Sequence, residues 1–482
     1  MMKLRGKSQQ FLKRLAASRV QTLMCALLLT VGFVAGGHSA LSAPARLRHV
    51  LVISVDGMRA SFYMNPPPGA QIPNLLRLKK EGSFAEAVEG VYPTLTYPSH
   101  TTIVTGCLPI QHGIYTNLSS RMAGKNPYDW FWFAKSIKCV TLWDEARNHG
   151  LTTASITWPV TTGADIDWDV PEIWRPAASP KPDPLYVATF MKPTFAMEIL
   201  KALGPPQGRL SEDSLRTRLA VYVLEKHKPD LMLVHLADLD EAEHDAGPES
   251  SKATAVLSQV DGHIGEILKA VQDAGLETDT DVFIVSDHGF LPIRRIIHPD
   301  TLLVKAGLLT ADKQGNITGG RIATVSNGGS FFIYWPQGER MRSRVNRALK
   351  PLFDRNLVWA TLGPGALKDL GADPGARIAL DAPDGAMFDR AGRGPLVTDQ
   401  PQTGGTHGYL PFREGLASSF IAWGPDIRPG TDLHRIRIIS IGPTILKAMG
   451  ISDPKFGDAP PLGDIWKRTN SSRSGADQAS SR

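Results

Sequence analysis

The sequence is poor in cysteine, with three in 482 residues. Cys25 lies in an apolar N-terminal segment, so Cys107 and Cys139 are left for the rest of the chain. This count excludes a small scaffold held together by several disulfides. In an oxidising compartment the two residues could form a bridge, but the sequence does not fix the distance between them. A bridge and two buried free thiols therefore both remain open.

A surplus of positive charge is also absent beyond the N-terminus. The chain has 53 Lys and Arg against 47 Asp and Glu, with a pI near 9.1. Six of the basic residues and no acidic residue lie within residues 1–45, and 53 minus these six leaves 47 basic against 47 acidic side chains. Proteins that bind nucleic acids carry a basic patch or stripe. We therefore expect no binding to nucleic-acid duplexes.

The apolar N-terminal run, residues 23–35, is too short to span a bilayer comfortably, which takes about 20 residues. It follows several basic residues and precedes the small-residue stretch GGHSALSAPA. This order is typical of a secretory signal peptide. We expect residues 1–45 to be a signal peptide cleaved between residues 40 and 45, with an uncleaved anchor as the alternative. The mature protein is then expected to be periplasmic or secreted, without a stable membrane span.

Internal repeats are absent, and the rest of the chain alternates apolar strand-like runs with helical patterns. This alternation predicts an α/β sandwich, with a mainly parallel sheet and helices on both faces. The near-continuous hydrophobicity of the runs suits strands that are buried on both faces. Residues 251–275 place apolar side chains at helical spacing. The clearest strand candidates are residues 49–56, 152–158, 230–238, 280–287 and 418–424.

One domain is expected over residues 46–466. Within it, residues 290–400 are less regular and rich in Gly and Pro, so we expect them to contain an inserted cap. Residues 467–482 are small and polar, which predicts a disordered tail.

Three acidic residues stand at or just after the ends of predicted strands. Asp56 and Asp287 close apolar runs, and Asp240 follows another. Ligands of open α/β sheets bind at the carboxyl edge, where residues distant in sequence can meet in one cleft. A single aspartate in such a place is more often a turn residue or a helix N-cap. Three of them, two with a histidine nearby, predict a metal site.

Three histidines are candidate partners for these carboxylates. His244 stands four residues after Asp240, His288 directly follows Asp287, and His407 lies in the glycine-rich stretch GGTHGY. Aspartate and histidine together suit zinc or another divalent transition metal. The other histidines have no comparable setting, and we expect surface or structural roles for them. Those most easily mistaken for ligands are His100, His235 and His298.

Residues 91–106, VYPTLTYPSHTTIVTG, hold five threonines and a serine, but they contain neither a base triad nor a Gly-x-Ser-x-Gly elbow. A threonine hydroxyl is a weak nucleophile at neutral pH. A bound cation can stabilise its alkoxide directly, so no histidine base is required. A threonine nucleophile is therefore compatible with the predicted metal site.

Several segments, in this order along the chain, resemble the nucleotide pyrophosphatase/phosphodiesterase branch (type I phosphodiesterase) of the alkaline phosphatase superfamily. The resemblance covers residues 49 to about 410 and implies an alkaline-phosphatase-like sandwich. The matching segments are ISVDGMRASF, PNLLRLKKEG, YPTLTYPSHTTIVTGCLPIQHGIYTN, DLDEAEHDAGP, VSDHGF and THGY.

The resemblance also implies a role for each matched residue. It makes Thr96 the nucleophile, Asn117 a donor to a phosphoryl oxygen, and Tyr97 an aromatic contact for the substrate. Two divalent ions, with zinc expected, would be bound, one by Asp56, Thr96, Asp287 and His288 and the other by Asp240, His244 and His407. Two departures from the family pattern are Glu243, where glycine is usual, and the continuation THGYLP.

The expected activity is hydrolysis of phosphodiester or pyrophosphate bonds in small, nucleotide-type substrates through a covalent phosphothreonine. Related monoesterases carry a Lys-x-Arg pair in mid-chain, and the corresponding stretch, residues 155–169, contains neither lysine nor arginine. This absence favours diesters. The alternatives are a phosphomonoesterase of the same fold and a catalytically silent relative that binds metal or a phosphate ester.

Overall fold

The computed structural model describes residues 49–118, 130–173, 184–204, 212–336 and 338–467, with the side chains of residues 401 and 402 left out. The expected signal peptide and all but the first residue of the expected tail lie outside these ranges. Within them, no helix combines the length and the apolar character that a membrane span requires.

The central sheet has eight strands, and five neighbouring ones, from Thr280–Val285 to the edge strand Trp168–Val170, are parallel. Strand His49–Val55 pairs in parallel with Leu231–Leu236 on one side and with Thr280–Val285 on the other. Phe420–Trp423 joins the sheet antiparallel to Thr280–Val285. In spatial order the strands are Thr431–Asp432, Ser83–Phe84, Phe420–Trp423, Thr280–Val285, His49–Val55, Leu231–Leu236, Thr153–Ile156 and Trp168–Val170. The predicted mainly parallel α/β sheet is confirmed.

Helices cover both faces of this sheet because its strands bury side chains on both sides. In strand His49–Val55, Leu51 and Ile53 pack into one apolar core, and Val50 and Val52 pack into another. The α-helices of the described residues are Ser61–Met64, Pro73–Glu81, Thr96–Thr105, Pro109–His112, Leu142–Asn148, Pro184–Ala188, Pro193–Leu203, Asp213–His227, Asp238–Ala246, Ser251–Asp273, Asp300–Lys305, Glu339–Asp354, Pro364–Asp369 and Ile441–Ala448. The helix predicted at residues 251–275 is observed as Ser251–Asp273.

The cap is predicted within residues 290–400, and residues 291–406 form smaller sheets that pack in separate apolar cores. A four-stranded antiparallel sheet consists of Ala323–Ser326, Ser330–Tyr334, Ile378–Asp381 and Ala360–Leu362. A three-stranded sheet consists of Gly385–Phe388, Leu291–Ile297 and Val397–Thr406. Within this region, Leu309–Ala311 and Ile317–Gly320 form a two-stranded sheet. Outside it, Ala87–Glu89 and Arg435–Arg437 form another. That this region caps the site stays a prediction.

Cys107 and Cys139 form a disulfide, with their Cα atoms 6.8 Å apart. Cys107 stands just after the helix Thr96–Thr105, so the bridge ties the end of that helix to residue 139. The sequence left open a bridge or two buried free thiols, and the structure has the bridge.

Candidate functional site

Two aspartates meet at the carboxyl edge of the sheet because the strands that precede them are parallel neighbours. Asp56 directly follows His49–Val55, and Asp287 comes two residues after Thr280–Val285 ends. His288, the residue that follows Asp287, lies beside both aspartates. The ligand-capable atoms of Asp56, Asp287 and His288 lie within 4.8 Å of one another, and we call these residues the first cluster.

The first cluster is buried and closely spaced. His288 Nε2 lies 3.0 Å from Asp287 Oδ2 and 3.4 Å from Asp56 Oδ1. The Thr96 hydroxyl oxygen lies 3.4 Å from the same Nε2. The sequence-predicted Asp56, Thr96, Asp287 and His288 are therefore brought together.

A second cluster consists of Asp240, His244 and His407, again within 4.8 Å. Asp240 and His244 are four residues apart on the helix Asp238–Ala246, a spacing that puts both side chains on one face. His407 directly follows the strand Val397–Thr406. The rings of His407 and His288 stack with their centroids 3.6 Å apart, so the two clusters are adjacent.

Several hydrogen-bond acceptors of the second cluster lie close to one another. His244 Nδ1 lies 3.0 Å from the Gly405 carbonyl and His407 Nδ1 lies 2.8 Å from the Thr94 carbonyl. A carbonyl oxygen only accepts, so each Nδ1 carries the donated proton. In neutral rings both Nε2 atoms are then lone-pair acceptors, yet they lie 3.2 Å apart and face Asp240 oxygens at 3.5 and 3.7 Å.

These residues fit divalent cations. Among the described residues, Asp56 Oδ1, Asp240 Oδ1 and Asp287 Oδ2 are buried without a hydrogen-bond partner. In the first cluster, the second carboxylate oxygen of each aspartate has a hydrogen-bond partner. Asp56 Oδ2 is 3.0 Å from His235 Nε2, and Asp287 Oδ1 accepts from the Gly57 N–H at 3.2 Å. Buried acceptors left without donors are costly unless a cation neutralises them. The ligand assignment itself stays a prediction.

In the absence of bound cations, burial shifts the pKa values of four groups in the two clusters. Burial, reinforced by the charges of Asp287 and Asp240, raises the pKa of Asp56 well above its ordinary value. Burial raises the pKa of Asp240 to about 6. The pKa values of His288 and His407 are lowered, again by burial first. Each of these shifts disfavours the charged form of its group in the metal-free protein.

Thr96 is the first residue of the helix Thr96–Thr105, and its exposure differs from that of the rest of the helix. The other nine residues are buried, and Thr96 alone keeps partial exposure. Asn117 lies beside this helix start, where its Oδ1 accepts the Tyr97 N–H at 3.1 Å. With Oδ1 occupied, the Asn117 amide nitrogen is the group that can donate to a ligand.

The Tyr97 side chain has a packing role that the sequence did not indicate. The residue is 1% exposed, its hydroxyl donates to Glu172 Oε2 at 3.1 Å, and its ring meets Trp130 and Trp132 edge-on. A buried ring offers no face to a substrate in this conformation. Its substrate contact stays a prediction, and the partly exposed Trp130 is better placed to provide one. Tyr128, an aromatic residue two positions before Trp130, lies outside the described residues.

Two histidines expected to be structural contact the first cluster. His235 Nε2 is 3.0 Å from Asp56 Oδ2. His100 donates its Nδ1 proton to the Thr96 carbonyl at 2.8 Å and accepts from the Ser54 hydroxyl at 2.8 Å. Both are hydrogen-bonded structural residues, as expected, but they orient the site itself. His298 lies elsewhere, 3.3 Å from the Thr398 hydroxyl.

A sequence signal for both histidines exists. His235 is the fifth of six residues in the fully buried strand Leu231–Leu236, and a polar side chain there must find a partner. His100 follows Thr96 by four residues in a buried helix, so it shares a face with Thr96.

Comparisons with known proteins identify the family of this chain. The model of a family described as type I phosphodiesterase / nucleotide pyrophosphatase matches residues 50–356. Human ectonucleotide pyrophosphatase/phosphodiesterase family member 1 is 27% identical over 249 residues, which is 50% of this chain and 23% of that protein. Venom phosphodiesterase of Naja atra is 25% identical over 414 residues, 81% of this chain and 43% of that protein. The chain thus spans less than half the length of these two relatives.

Bis(5'-adenosyl)-triphosphatase ENPP4 of Bos taurus is 29% identical over 276 residues, covering 55% of this chain and 52% of the relative. Among solved structures, murine ectonucleotide pyrophosphatase/phosphodiesterase 5 superposes with a TM-score of 0.62 at 19% identity, covering 86% of this chain and 97% of that chain. At this identity the superposition supports the fold alone.

Proposed function

We propose a reaction from one premise: the chain belongs to the type I phosphodiesterase/nucleotide pyrophosphatase family. The proposed reaction is hydrolysis of a phosphodiester or pyrophosphate bond in a small, nucleotide-type substrate. Thr96 is the proposed nucleophile. The nucleotide preference is supported by the names of the human and bovine relatives, which describe nucleotide pyrophosphatase and adenosyl-triphosphatase activities.

The observation that carries the proposal is the setting of Thr96. It is the one partly exposed residue of an otherwise buried helix, and its hydroxyl is 3.4 Å from His288 Nε2 of the first cluster. The ring of His288 in turn stacks on His407 of the second cluster. The other hydroxyls of residues 91–106 are buried. Thr96 is therefore the hydroxyl of that segment that a substrate can reach.

In the proposed mechanism the Thr96 oxygen forms a bond to phosphorus while the bond to the leaving oxygen breaks. Water then hydrolyses the phosphothreonine ester and restores the hydroxyl. His100 holds the Thr96 carbonyl, and Asn117, fixed through the Tyr97 N–H, donates to a phosphoryl oxygen. When bound, two divalent cations would supply positive charge to the nucleophile and to the phosphate oxygens.

Zinc is the proposed metal because each cluster mixes carboxylate oxygen with imidazole nitrogen. Asp56, Asp287, His288 and Thr96 would hold one ion, and the second cluster would hold the other. A periplasmic or secreted location is proposed as well. It is supported by the N-terminal sequence and by the Cys107–Cys139 disulfide, which is typical of oxidising compartments.

The test is a panel of esters with zinc-loaded protein that lacks residues 1–45. The substrates are a nitrophenyl phosphomonoester, a nitrophenyl nucleotide diester, bis-nitrophenyl phosphate and a nitrophenyl sulfate. The variants are Thr96→Ala, which removes the nucleophile, and Thr96→Ser, the matched control that keeps a hydroxyl. We expect the nucleotide diester to be hydrolysed fastest, Thr96→Ala to lose turnover, and Thr96→Ser to retain part of it.

Each alternative gives a different outcome. A preference for the phosphomonoester would indicate a monoesterase of the same fold. Turnover that survives Thr96→Ala undiminished would rule out the covalent mechanism. Absence of turnover with every ester, together with retained zinc binding, would indicate a catalytically silent relative.

A further inference from the structure

Thr94, two residues before the proposed nucleophile, joins two segments that are more than 300 residues apart in sequence. It is fully buried. Its hydroxyl donates to the Tyr409 carbonyl at 3.1 Å and accepts from the Gly408 N–H at 3.0 Å. Its carbonyl accepts from His407 Nδ1 at 2.8 Å and from the Gly408 N–H at 2.9 Å. Every polar atom of Thr94 thus faces residues 407–409, since its N–H also points to the Tyr409 carbonyl at 3.4 Å.

The opposite side of the His407 segment is held as closely. The Gly329 N–H donates to the His407 carbonyl at 2.7 Å. Gly408 has φ of +87°, and a Cβ there would lie 1.7 Å from the Asn327 carbonyl oxygen, so only glycine fits. His407 therefore lies in a segment held between Thr94 and residues 327–329, and these contacts restrict the orientation of its side chain.

Thr94 is also directly connected to the first cluster. Only Leu95 separates it from Thr96, whose hydroxyl lies beside His288. The His288 and His407 rings stack nearly parallel, at 11°. The same short segment thus places the nucleophile against one cluster and a histidine in the other.

We propose that Thr94 is a positioning residue that orients His407 for cation binding and keeps the second cluster in register with Thr96. This inference rests on the proposed function, because it concerns the ions that the two clusters would hold. The Thr94 carbonyl fixes the tautomer of His407, and the hydroxyl fixes the direction of the peptides that follow. Partners that orient a metal-binding histidine typically change metal affinity by about 10- to 100-fold when they are removed.

The test removes the hydroxyl and leaves the backbone contacts in place. Thr94→Val keeps the shape of the side chain, and Thr94→Ser restores the hydroxyl. Thr105→Val is the matched control, because Thr105 is equally buried but its hydroxyl donates to Thr101 of the same helix, at 2.7 Å. If Thr94→Val does not fold, Thr94→Ala replaces it, since it removes the same hydroxyl with less steric demand.

The readout is calorimetric titration of zinc into metal-depleted protein, accompanied by unfolding of each metal-free variant. In Thr94→Val we expect one of the two zinc ions to bind about 10- to 100-fold more weakly and the other within about threefold of wild type. Thr94→Ser and Thr105→Val should bind both ions as wild type does. Turnover of the nucleotide diester should then show a lower kcat with a smaller change in KM.

Equal zinc affinities in Thr94→Val and Thr105→Val would overturn the inference, as would a failure of Thr94→Ser to restore binding. Equal weakening of both ions in Thr94→Val would indicate a general structural role and would also overturn it. If wild type binds fewer than two zinc ions, the proposed function fails and this inference fails with it. Two tight ions in wild type with no effect of Thr94→Val would refute the inference alone.

Discussion

Asp240→Asn is expected to stabilise the metal-free protein at neutral pH while it removes a proposed zinc ligand. Burial is the main reason that the pKa of Asp240 is raised from 3.8 to about 6, and the nearby Asp287 adds to it, whereas His244 opposes it. The folded state therefore holds the proton more tightly than the unfolded chain does. The stability that comes from this group is complete below pH 3.8 and is lost as the pH rises through about 6.

The two pKa values set the size of the effect. The interval from 3.8 to about 6 corresponds to about 3 kcal/mol of unfolding free energy above pH 6. The Asp240 side chain is 21% exposed, so water screens part of its charge. We expect Asp240→Asn to raise the unfolding free energy by about 1 to 3 kcal/mol at pH 8 and to leave it nearly unchanged at pH 4.

Denaturant unfolding in excess chelator, at pH 4 and at pH 8, measures this difference. Asp245→Asn is the matched control, because Asp245 lies on the same helix but is 61% exposed and paired with Lys252 at the surface. Its effect should stay within about 0.5 kcal/mol at both pH values. Added zinc should reverse the order, since only the wild type gains the stabilisation that comes from binding at a complete second cluster.

The reasoning fails if Asp240→Asn lowers the unfolding free energy at pH 8 in chelator. It fails equally if the gain has the same size at pH 4 and pH 8. In that case the gain would come from packing or from the unfolded chain, and the buried charge would not be its cause.

Three further predictions concern the support of the site. Asn117→Ala should lower kcat for the nucleotide diester by about 10²- to 10³-fold without weakening zinc binding, and an unchanged kcat would remove Asn117 from the mechanism. His235→Gln should weaken one zinc ion by about 10-fold or more in a calorimetric titration, because His235 orients Asp56; affinities equal to wild type would contradict this. Serine at both Cys107 and Cys139 opens a 32-residue separation and should cost about 2 to 4 kcal/mol in urea unfolding, whereas no loss would argue against a stabilising bridge.

The residues that bear the clusters were predictable because their positions follow from topology. In parallel strands, the residues just after the strand ends share one edge, and Asp56 and Asp287 follow adjacent strands. Asp240 and His244 are joined by helical spacing. The order of motifs along the chain then indicated the family, which the family match confirms. Local patterns therefore predicted five of the eight strands of the central sheet and missed its three short ones, Ser83–Phe84, Trp168–Val170 and Thr431–Asp432.

The supporting contacts were not predictable in the same way, because they join segments that no local pattern connects. Thr94 was one of five threonines in a short stretch, and its partners lie beyond residue 400. Tyr97 was expected to face the substrate, yet the fold places Glu172 next to its hydroxyl. The Cys107–Cys139 bridge depends on a distance that only the folded chain defines.

Glu243 replaces the glycine that is usual in the family, and it places a further carboxyl group next to His244 of the second cluster. It is fully buried, and among the described residues neither of its carboxylate oxygens has a hydrogen-bond partner. Burial raises the pKa of Glu243 well above its ordinary value, and Arg59 is the positive charge that opposes this. Its Oε2 lies 2.8 Å from where a Cβ of residue 57 would be, so it packs against Gly57.

Glu243 thus adds a fourth buried carboxyl group to those of Asp56, Asp240 and Asp287. A buried negative charge is stable only when a proton or a cation neutralises it. Because Glu243 stands one residue before His244, its charge would act on the second cluster without any need for direct coordination. The replacement of glycine by glutamate therefore adds to the site a buried carboxyl group that a proton or a cation has to neutralise.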